Sequence, residues 1–230
     1  MKNLFSVNNI AFTPFGYPLS YIELVGTIFY LWSVWLIAKR RIWTWPIGIV
    51  AVILYMLIFY QIRLYSDALE QVYYLLASVY GWWHWQHSAR EGATIVDVGF
   101  SDTKSILFWL LASVFVGIGL GAFMSRAHLL LPGLFPDPAS YPYLDALTTI
   151  GSFTAMWLMA RRRIESWLYW ILIDVIGIGL YYVKGVKFIA LLYVVLLGLT
   201  IKGLISWSGQ LRRSAAENSL ETEFLDHFYR

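Results

Sequence analysis

Residues 35–85 and residues 157–207 are one segment written twice, 122 positions apart. Laid over each other without a gap, 15 of the 51 positions are identical. The matches include Trp35/Trp157, Arg40/Arg162, Arg41/Arg163, Ile42/Ile164, Trp45/Trp167, Tyr60/Tyr182, Gly81/Gly203 and Trp85/Trp207. Each copy is almost wholly apolar and long enough for several membrane crossings. A duplicated unit in an apolar chain is the plan of many transporters, whose site lies where the halves meet.

Composition excludes most other classes. Only 13% of the 230 residues are charged and 59% are hydrophobic, too little polar surface to face water on all sides. The 12 Trp, 16 Tyr and 14 Phe suit interfacial belts, where an amphipathic ring matches the headgroup region. The net charge of +3 comes from basic clusters at the ends of apolar runs, so it reads as an orientation signal and not as nucleic-acid binding. There is no cysteine, which excludes disulfides, thiolate metal sites and a Cys nucleophile. The first apolar run lacks a small-residue cleavage site and reads as a retained span.

Apolar stretches fall at 20–38, 43–62, 67–86, 104–125, 143–160, 165–183 and 187–208. Most approach the roughly 20 residues that cross a bilayer core. Ser20 with Glu23 forms an S-x-x-E capping box, Asp67 with Glu70 a similar pair, and Pro46 and Pro142 stand in first turns. The expected fold is an all-α membrane protein of seven spans. It has an N-terminal extracytoplasmic segment (1–19), a three-helix repeat (20–86), a linking helix (104–125), a second three-helix repeat (143–208) and a cytoplasmic tail (209–230). One span between two three-span units makes the units parallel. Ten Lys and Arg then fall on one side, including Lys39, Arg90, Lys104, Arg161 and Arg212, against five opposite: Lys2, Arg63, Arg126, Lys184 and Lys187. The positive-inside rule puts the N-terminus outside and the C-terminus in the cytoplasm. The tail reads as a solvated extension or as disorder.

Depth makes one carboxyl group informative. Glu23, Asp67, Glu70, Asp145 and Glu165 fall in first turns, where a cap or the helix dipole accounts for them. Asp174 lies roughly 15 Å along its helix from the basic cluster, near mid-bilayer. A charged Asp there costs about 2.5–3.5 kcal/mol on insertion scales, so it should face the bundle interior. Its repeat counterpart is Val52. Trp167, Trp170 and Asp174 share a helix face at i, i+3 and i+7. Two aromatic walls above an acceptor suit a flat, cationic or hydroxyl-bearing ligand, although belt or packing roles serve tryptophan equally. Gln71, Tyr74 and Ser78 form a second polar face, read either as ligand contacts or as helix–helix hydrogen bonding. Tyr193 is the counterpart of Gln71, with packing as the alternative. His84 and His87 find no third ligand, so no metal or cofactor is expected. No Walker A loop, nucleophile elbow or H-E-x-x-H occurs, so neither ATP-driven transport nor hydrolysis is indicated.

Segments LSYIELVGT (19–27), FYQIRLYSDALEQVYYLLASVYGWWHW (59–85) and ESWLYWILIDVIGIGLYYVKG (165–185) resemble the bacterial nicotinamide riboside transporters of PnuC type. The resemblance covers nearly all seven spans. It implies a non-enzymatic vitamin-precursor permease of the inner membrane, with a three-one-three fold akin to the SWEET sugar transporters and a homotrimeric assembly. It also implies facilitated diffusion, made one-way by phosphorylation of the nucleoside inside the cell. The family motif W-x-x-W-x-x-x-N lands on Trp167, Trp170 and position 174, and the glutamine of its third span lands on Gln71. Asp174 replaces the asparagine, which suits the pyridinium of nicotinamide riboside. It also brings in thiamine, and leaves riboflavin or a deoxynucleoside as alternatives. A membrane scaffold with a purely architectural repeat is the reading from another class.

Overall fold

The structure, a computed structural model, describes residues 4–88, 97–133, 135 and 137–228. Lys2 and Arg90, two of the cations counted for orientation, lie outside the described residues. A short hairpin of β1 (Ile10–Phe12) and β2 (Leu19–Ser20) precedes eight helices. These are α1 (Tyr21–Ala38), α2 (Thr44–Gln61), α3 (Tyr65–Ser88), α4 (Thr103–Met124), α5 (Ala127–Leu130), α6 (Pro142–Ala160), α7 (Ser166–Val183) and α8 (Lys187–Phe228). The expected starts hold at Ser20, whose hydroxyl accepts from the Glu23 N–H at 3.3 Å, and at Pro142, which occupies the first turn of α6. α3 begins two residues before Asp67, so Asp67 sits inside the first turn and Glu70 turns to α6 instead. α8 does not stop at residue 208 but runs on through the expected tail. Beyond Gly209 that stretch has neither Gly nor Pro and is rich in Leu, Ala, Glu and Arg, all strong helix formers.

The repeat reappears as matched turns. α1, α2, α6 and α7 each end with a left-handed residue, at Arg40 (φ 58°), Arg63 (φ 64°), Arg162 (φ 63°) and Gly185 (φ 77°). Each is followed by a 6→1 bond, such as Arg41 N–H to the Leu36 carbonyl at 3.0 Å and Arg163 N–H to the Leu158 carbonyl at 2.9 Å. These are Schellman endings, which satisfy carbonyls that the helix leaves open. Arg40 pairs with Arg162 and Arg63 with Gly185 at the 122-residue offset, so both halves turn at the same places.

Among the described residues, five helices are long and apolar enough to cross a membrane: α1, α2, α4, α7 and α8. α3 and α6 carry more polar side chains, and they pack against each other. There Thr149 Oγ1 donates to Glu70 at 3.0 Å and the Tyr73 hydroxyl donates to the Phe153 carbonyl at 2.7 Å. Polar groups in an apolar medium are tolerated where neighbouring helices satisfy them. Within each half the contacts run α1–α2–α3 and α6–α7–α8. Across the halves, α3 meets α6 and α1 meets α8, each contact the repeat image of the other.

α4 has no counterpart in the first half and packs on α6 through a stripe of small residues. Its buried positions are Ser113, Gly117 and Gly121, four apart and therefore on one face. A Cβ on Gly117 would run into Leu147, and one on Gly121 into Tyr143, so the two backbones approach closely, as small-x-x-x-small pairs permit. Ser113 and Thr154 hydroxyls join at 2.8 Å in the same seam. The chain ahead of α4 is tied down as well. Gly99 pairs with the Arg162–Ile164 backbone, and the buried Glu165 carboxylate accepts from the Ser101 N–H.

Replacing Gly117 by Leu should overpack this seam and lower stability by about 1–3 kcal/mol. A thermal melt in detergent checks it, with the neighbouring Gly119→Leu as control, since nothing lies within 4 Å of that position's would-be Cβ.

Candidate functional site

The two halves close on each other at the basic end, through tryptophans. Trp45 meets Trp85 edge-on at 5.3 Å, and Trp167 meets Trp207 edge-on at 5.4 Å. Trp85 and Trp207, repeat partners, approach to 6.0 Å across the centre. The Trp85 indole N–H donates to the Ala160 carbonyl and that of Trp207 to the Ile37 carbonyl, each at 3.0 Å. Each half thus donates into the C-terminal end of the other's first helix. Gly81 and Gly203 make room, because a Cβ on either would overlap the ring of Trp45 or Trp167. The identities found in the aligned sequence are therefore largely the parts of this closure. Above it, Asp97 sits within electrostatic reach of both Arg40 and Arg162. It partly offsets the burial that draws the pKa of both guanidinium groups down.

Beneath the quartet, all six helices of the two halves send polar side chains inward. Asp174 on α7 is 3% exposed and accepts from Thr200 Oγ1 of α8 at 3.1 Å. Among the described residues no ion pair engages it. That same Thr200 oxygen is 3.0 Å from the Leu197 carbonyl, so its single proton is contested. Tyr30 of α1 and Tyr193 of α8 lie within electrostatic reach of Asp174. Tyr55 of α2 and Tyr74 of α3 lie within reach of Tyr30. Tyr55 shares a 2.8 Å hydroxyl–hydroxyl bond with Thr27. Tyr74 bonds Ser152 of α6 and meets Phe153 edge-on at 5.8 Å. Tyr193 lies on Gly177, where a Cβ would overlap its ring, and stacks on Tyr181 at 5.4 Å.

Of the residues singled out in the sequence, Asp174, Tyr193 and Tyr74 therefore meet in one layer. Gln71 stands half-buried one turn from Tyr74 on α3. Trp170 is half-buried against the tryptophan cluster, one turn from Asp174. Trp167 is 1% exposed and belongs to the quartet itself, like its counterpart Trp45. Tyr30, Tyr55, Glu70 and Thr200 join the layer without having been singled out. A signal for four pairs of the layer's positions was present: Thr27/Thr149, Tyr30/Ser152, Gln71/Tyr193 and Ser78/Thr200 are polar at both members of the 122-residue offset.

The end away from the basic cluster is covered by the N-terminal segment. Tyr17 hydrogen-bonds Glu23 of α1 and stacks on Phe188 of α8 at 5.3 Å, joining the two halves. Burial first, then the bond to Glu23, push the Tyr17 phenol above its usual pKa, so it stays protonated at any physiological pH. Among the described residues no cluster of three metal-ligating side chains exists. What this geometry offers is a binding layer with a carboxyl group, several phenols and hydroxyls, and aromatic walls, roofed and floored by contacts between halves.

Known proteins match this chain over most of its length. A family model described as "nicotinamide mononucleotide transporter" matches residues 20–209. The chain is 32% identical over 232 residues to the nicotinamide riboside transporter PnuC of Escherichia coli (strain K12), covering 91% of this chain and 96% of that one. It is 28% identical over 210 residues to the riboflavin/roseoflavin transporter RibM of Streptomyces davaonensis, covering 91% and 94%. A crystal structure titled as that of the Vitamin B3 transporter PnuC shares the fold, with a TM-score of 0.65 over 84% of this chain and 83% of that one at 24% identity.

Thr200→Val removes the one side-chain donor that, among the described residues, reaches the Asp174 carboxylate, and should destabilise the protein by about 1–3 kcal/mol, while Thr200→Ser keeps the hydroxyl and most of the stability. Thermal unfolding of the two variants in the same detergent reads the difference.

Proposed function

The chain belongs to the nicotinamide mononucleotide transporter family, and from that premise we propose that it carries nicotinamide riboside across a bacterial inner membrane. The observation that carries this reading is the 32% identity, along nearly all of both chains, to the riboside transporter of Escherichia coli. The inner layer favours the riboside over the mononucleotide named in the family description. A phosphate dianion calls for Lys or Arg, whereas the layer presents Asp174 and phenols. A pyridinium cation beside that carboxyl group is the complementary choice.

In this reading Trp167 and Trp170 provide aromatic walls for the pyridinium, Trp167 from its place in the quartet. Gln71 reads the carboxamide, and Asp174 holds the ribose hydroxyls or offsets the ring charge, with Tyr74 and Tyr193 completing the enclosure. α1–α3 and α6–α8 act as two like-oriented three-helix units with α4 as tether, giving seven spans in a three-one-three order. The matched turns and the reciprocal tryptophan bonds support that arrangement. The N-terminus lies outside and the C-terminus in the cytoplasm, and three protomers assemble, each with its own site. Rocking of the units about the inner layer exchanges the open side. Transport is facilitated diffusion, made one-way by phosphorylation inside the cell.

Purified protein in liposomes should take up labelled nicotinamide riboside with no ion gradient, and Asp174→Ala should weaken its binding roughly tenfold or more, as loss of a charged hydrogen-bonding partner does. Unchanged affinity in that variant would remove Asp174 from the site. The likeness to RibM makes riboflavin the second reading. Uptake of labelled riboflavin by the same liposomes separates the two readings: it should be absent under the first and present under the second.

A further inference from the structure

At the end away from the basic cluster, one cation stands where the other half has an apolar residue. Lys184 ends α7, and its counterpart in the first half is Ile62. The turn at Gly185 leaves Lys184 at an exposed position. Its Nζ nevertheless lies 5.6 Å from the centre of the Tyr141 ring and 5.8 Å from that of Tyr181. Tyr141 precedes α6 and Tyr181 belongs to the last turn of α7, so two helices share one ammonium group. In the first half the two ring positions are Leu19 and Phe59, and Leu19 is sealed beneath the hairpin at 1% exposure. Tyr141 is 42% exposed, so the second half is open where the first is closed.

The rings lead inward. Tyr181 stacks on Tyr193 at 5.4 Å with 19° between the planes, and Tyr193 lies within electrostatic reach of Asp174. Asp67 of α3 and Asp145 of α6 lie within electrostatic reach of Tyr181. So does Tyr17, the phenol that joins the two halves at this end. The mouth thus combines two ring faces already holding a cation, a negative field from two helices, and a stacked pair that descends to the inner layer. Cation–π contacts at exposed positions are weak. An ammonium group is also strongly hydrated, whereas a delocalised charge is hydrated less. A flat organic cation therefore gives up less water on meeting the same rings and covers more of their area, which makes Lys184 a displaceable occupant.

We propose that Tyr141 and Tyr181 form a second, entry subsite for a flat organic cation, in which Lys184 stands until the ring of the solute takes its place. From there the ring passes by way of Tyr181 and Tyr193 to the inner layer. The assignment rests on the reading of the solute as the bearer of a pyridinium ring, and it adds to that reading a place where the ring is first held.

The chain has no cysteine, so Lys184→Cys sets a single thiol at the mouth of the detergent-purified protein. A quaternary-ammonium methanethiosulfonate should modify it roughly tenfold faster than the anionic sulfonate reagent, relative to their rates with a free thiol, as a focused negative field concentrates cations. The pyridinium 1-methylnicotinamide should slow the modification severalfold, and neutral nicotinamide should not. Tyr141→Leu should abolish that protection, and Asp67→Asn/Asp145→Asn should bring the two reagent rates together; either variant suffices if the other fails to fold. Protection should persist in Asp174→Ala, which alters the layer and not the mouth. Equal relative rates for the two reagents, equal protection by the neutral amide, or loss of protection in Asp174→Ala would each overturn the subsite. Uptake of labelled nicotinamide riboside by the wild type tests the solute separately: absent uptake with the thiol results intact upholds the subsite and changes only the cation that uses it.

Discussion

Two tryptophans donating across the centre, each into the end of the other half's first helix, are the constraint on which the remaining geometry depends. Indole suits this task because it combines a large apolar surface with one donor, and both are satisfied here. Their edge-on partners, Trp45 and Trp167, lie where Gly81 and Gly203 leave space for a ring. Because the bonds are reciprocal, the ends of α1 and α6 are drawn to one level along with the ends of α3 and the middle of α8. That common level sets the depth of everything counted from it, including Asp174 eleven residues past Arg163 (174 − 163).

Duplication gives a frame, and function is written in the departures from it. Where copies agree, the residues close the halves or end helices: Trp85/Trp207, Gly81/Gly203, Arg40/Arg162. Several of the positions where they differ face either the inner layer or the outside. Val52 against Asp174 places a carboxyl group on only one side of the centre. Tyr55 against Gly177 gives one half a ring and the other a gap, which Tyr193 occupies. Trp43 against Glu165 puts an exposed ring at one basic turn where the other has a buried carboxylate that accepts from Ser101. An exactly repeated pair would present a twofold-symmetric pocket, poorly suited to a solute with a ring at one end and a sugar at the other.

The helices were legible because apolar runs of span length admit little else, and their starts at Ser20 and Pro142 followed from local capping chemistry. The inward placement of Asp174 was legible for the same reason: an acidic residue amid apolar neighbours is tolerated where the bundle encloses it. Three things were harder to read. Polar residues on α3 and α6 lower both helices below the apolar level of the other five, because they satisfy one another across a contact that only the tertiary arrangement reveals. The stripe Ser113, Gly117, Gly121 is visible once spacing is considered, but small residues are common in apolar helices and do not name their partner. Trp167 shares a face with Trp170 and Asp174, yet the helix wheel carries no information about Gly203, which draws its ring into the closure.

Magnitudes bear on how such a closure can also be a gate. The three indole contacts add about 0.5–1.5 kcal/mol apiece beyond the area they bury. The two indole hydrogen bonds contribute about 0.5–1.5 kcal/mol each. Together they amount to about 3–8 kcal/mol holding the basic end shut. Shifting a two-state equilibrium from 1:99 to 99:1 takes about 5.5 kcal/mol of differential binding. In the proposed reading, the quartet is strong enough to define a closed state and weak enough for a solute bound in the adjoining layer to reverse. Had the same contact been built as a continuous leucine seam of greater area, closure would outweigh what a small ligand supplies. Under the proposed assignment of Asp174, a carboxyl group two turns from the indoles, on the same face of α7 as Trp167, would give that ligand purchase on both.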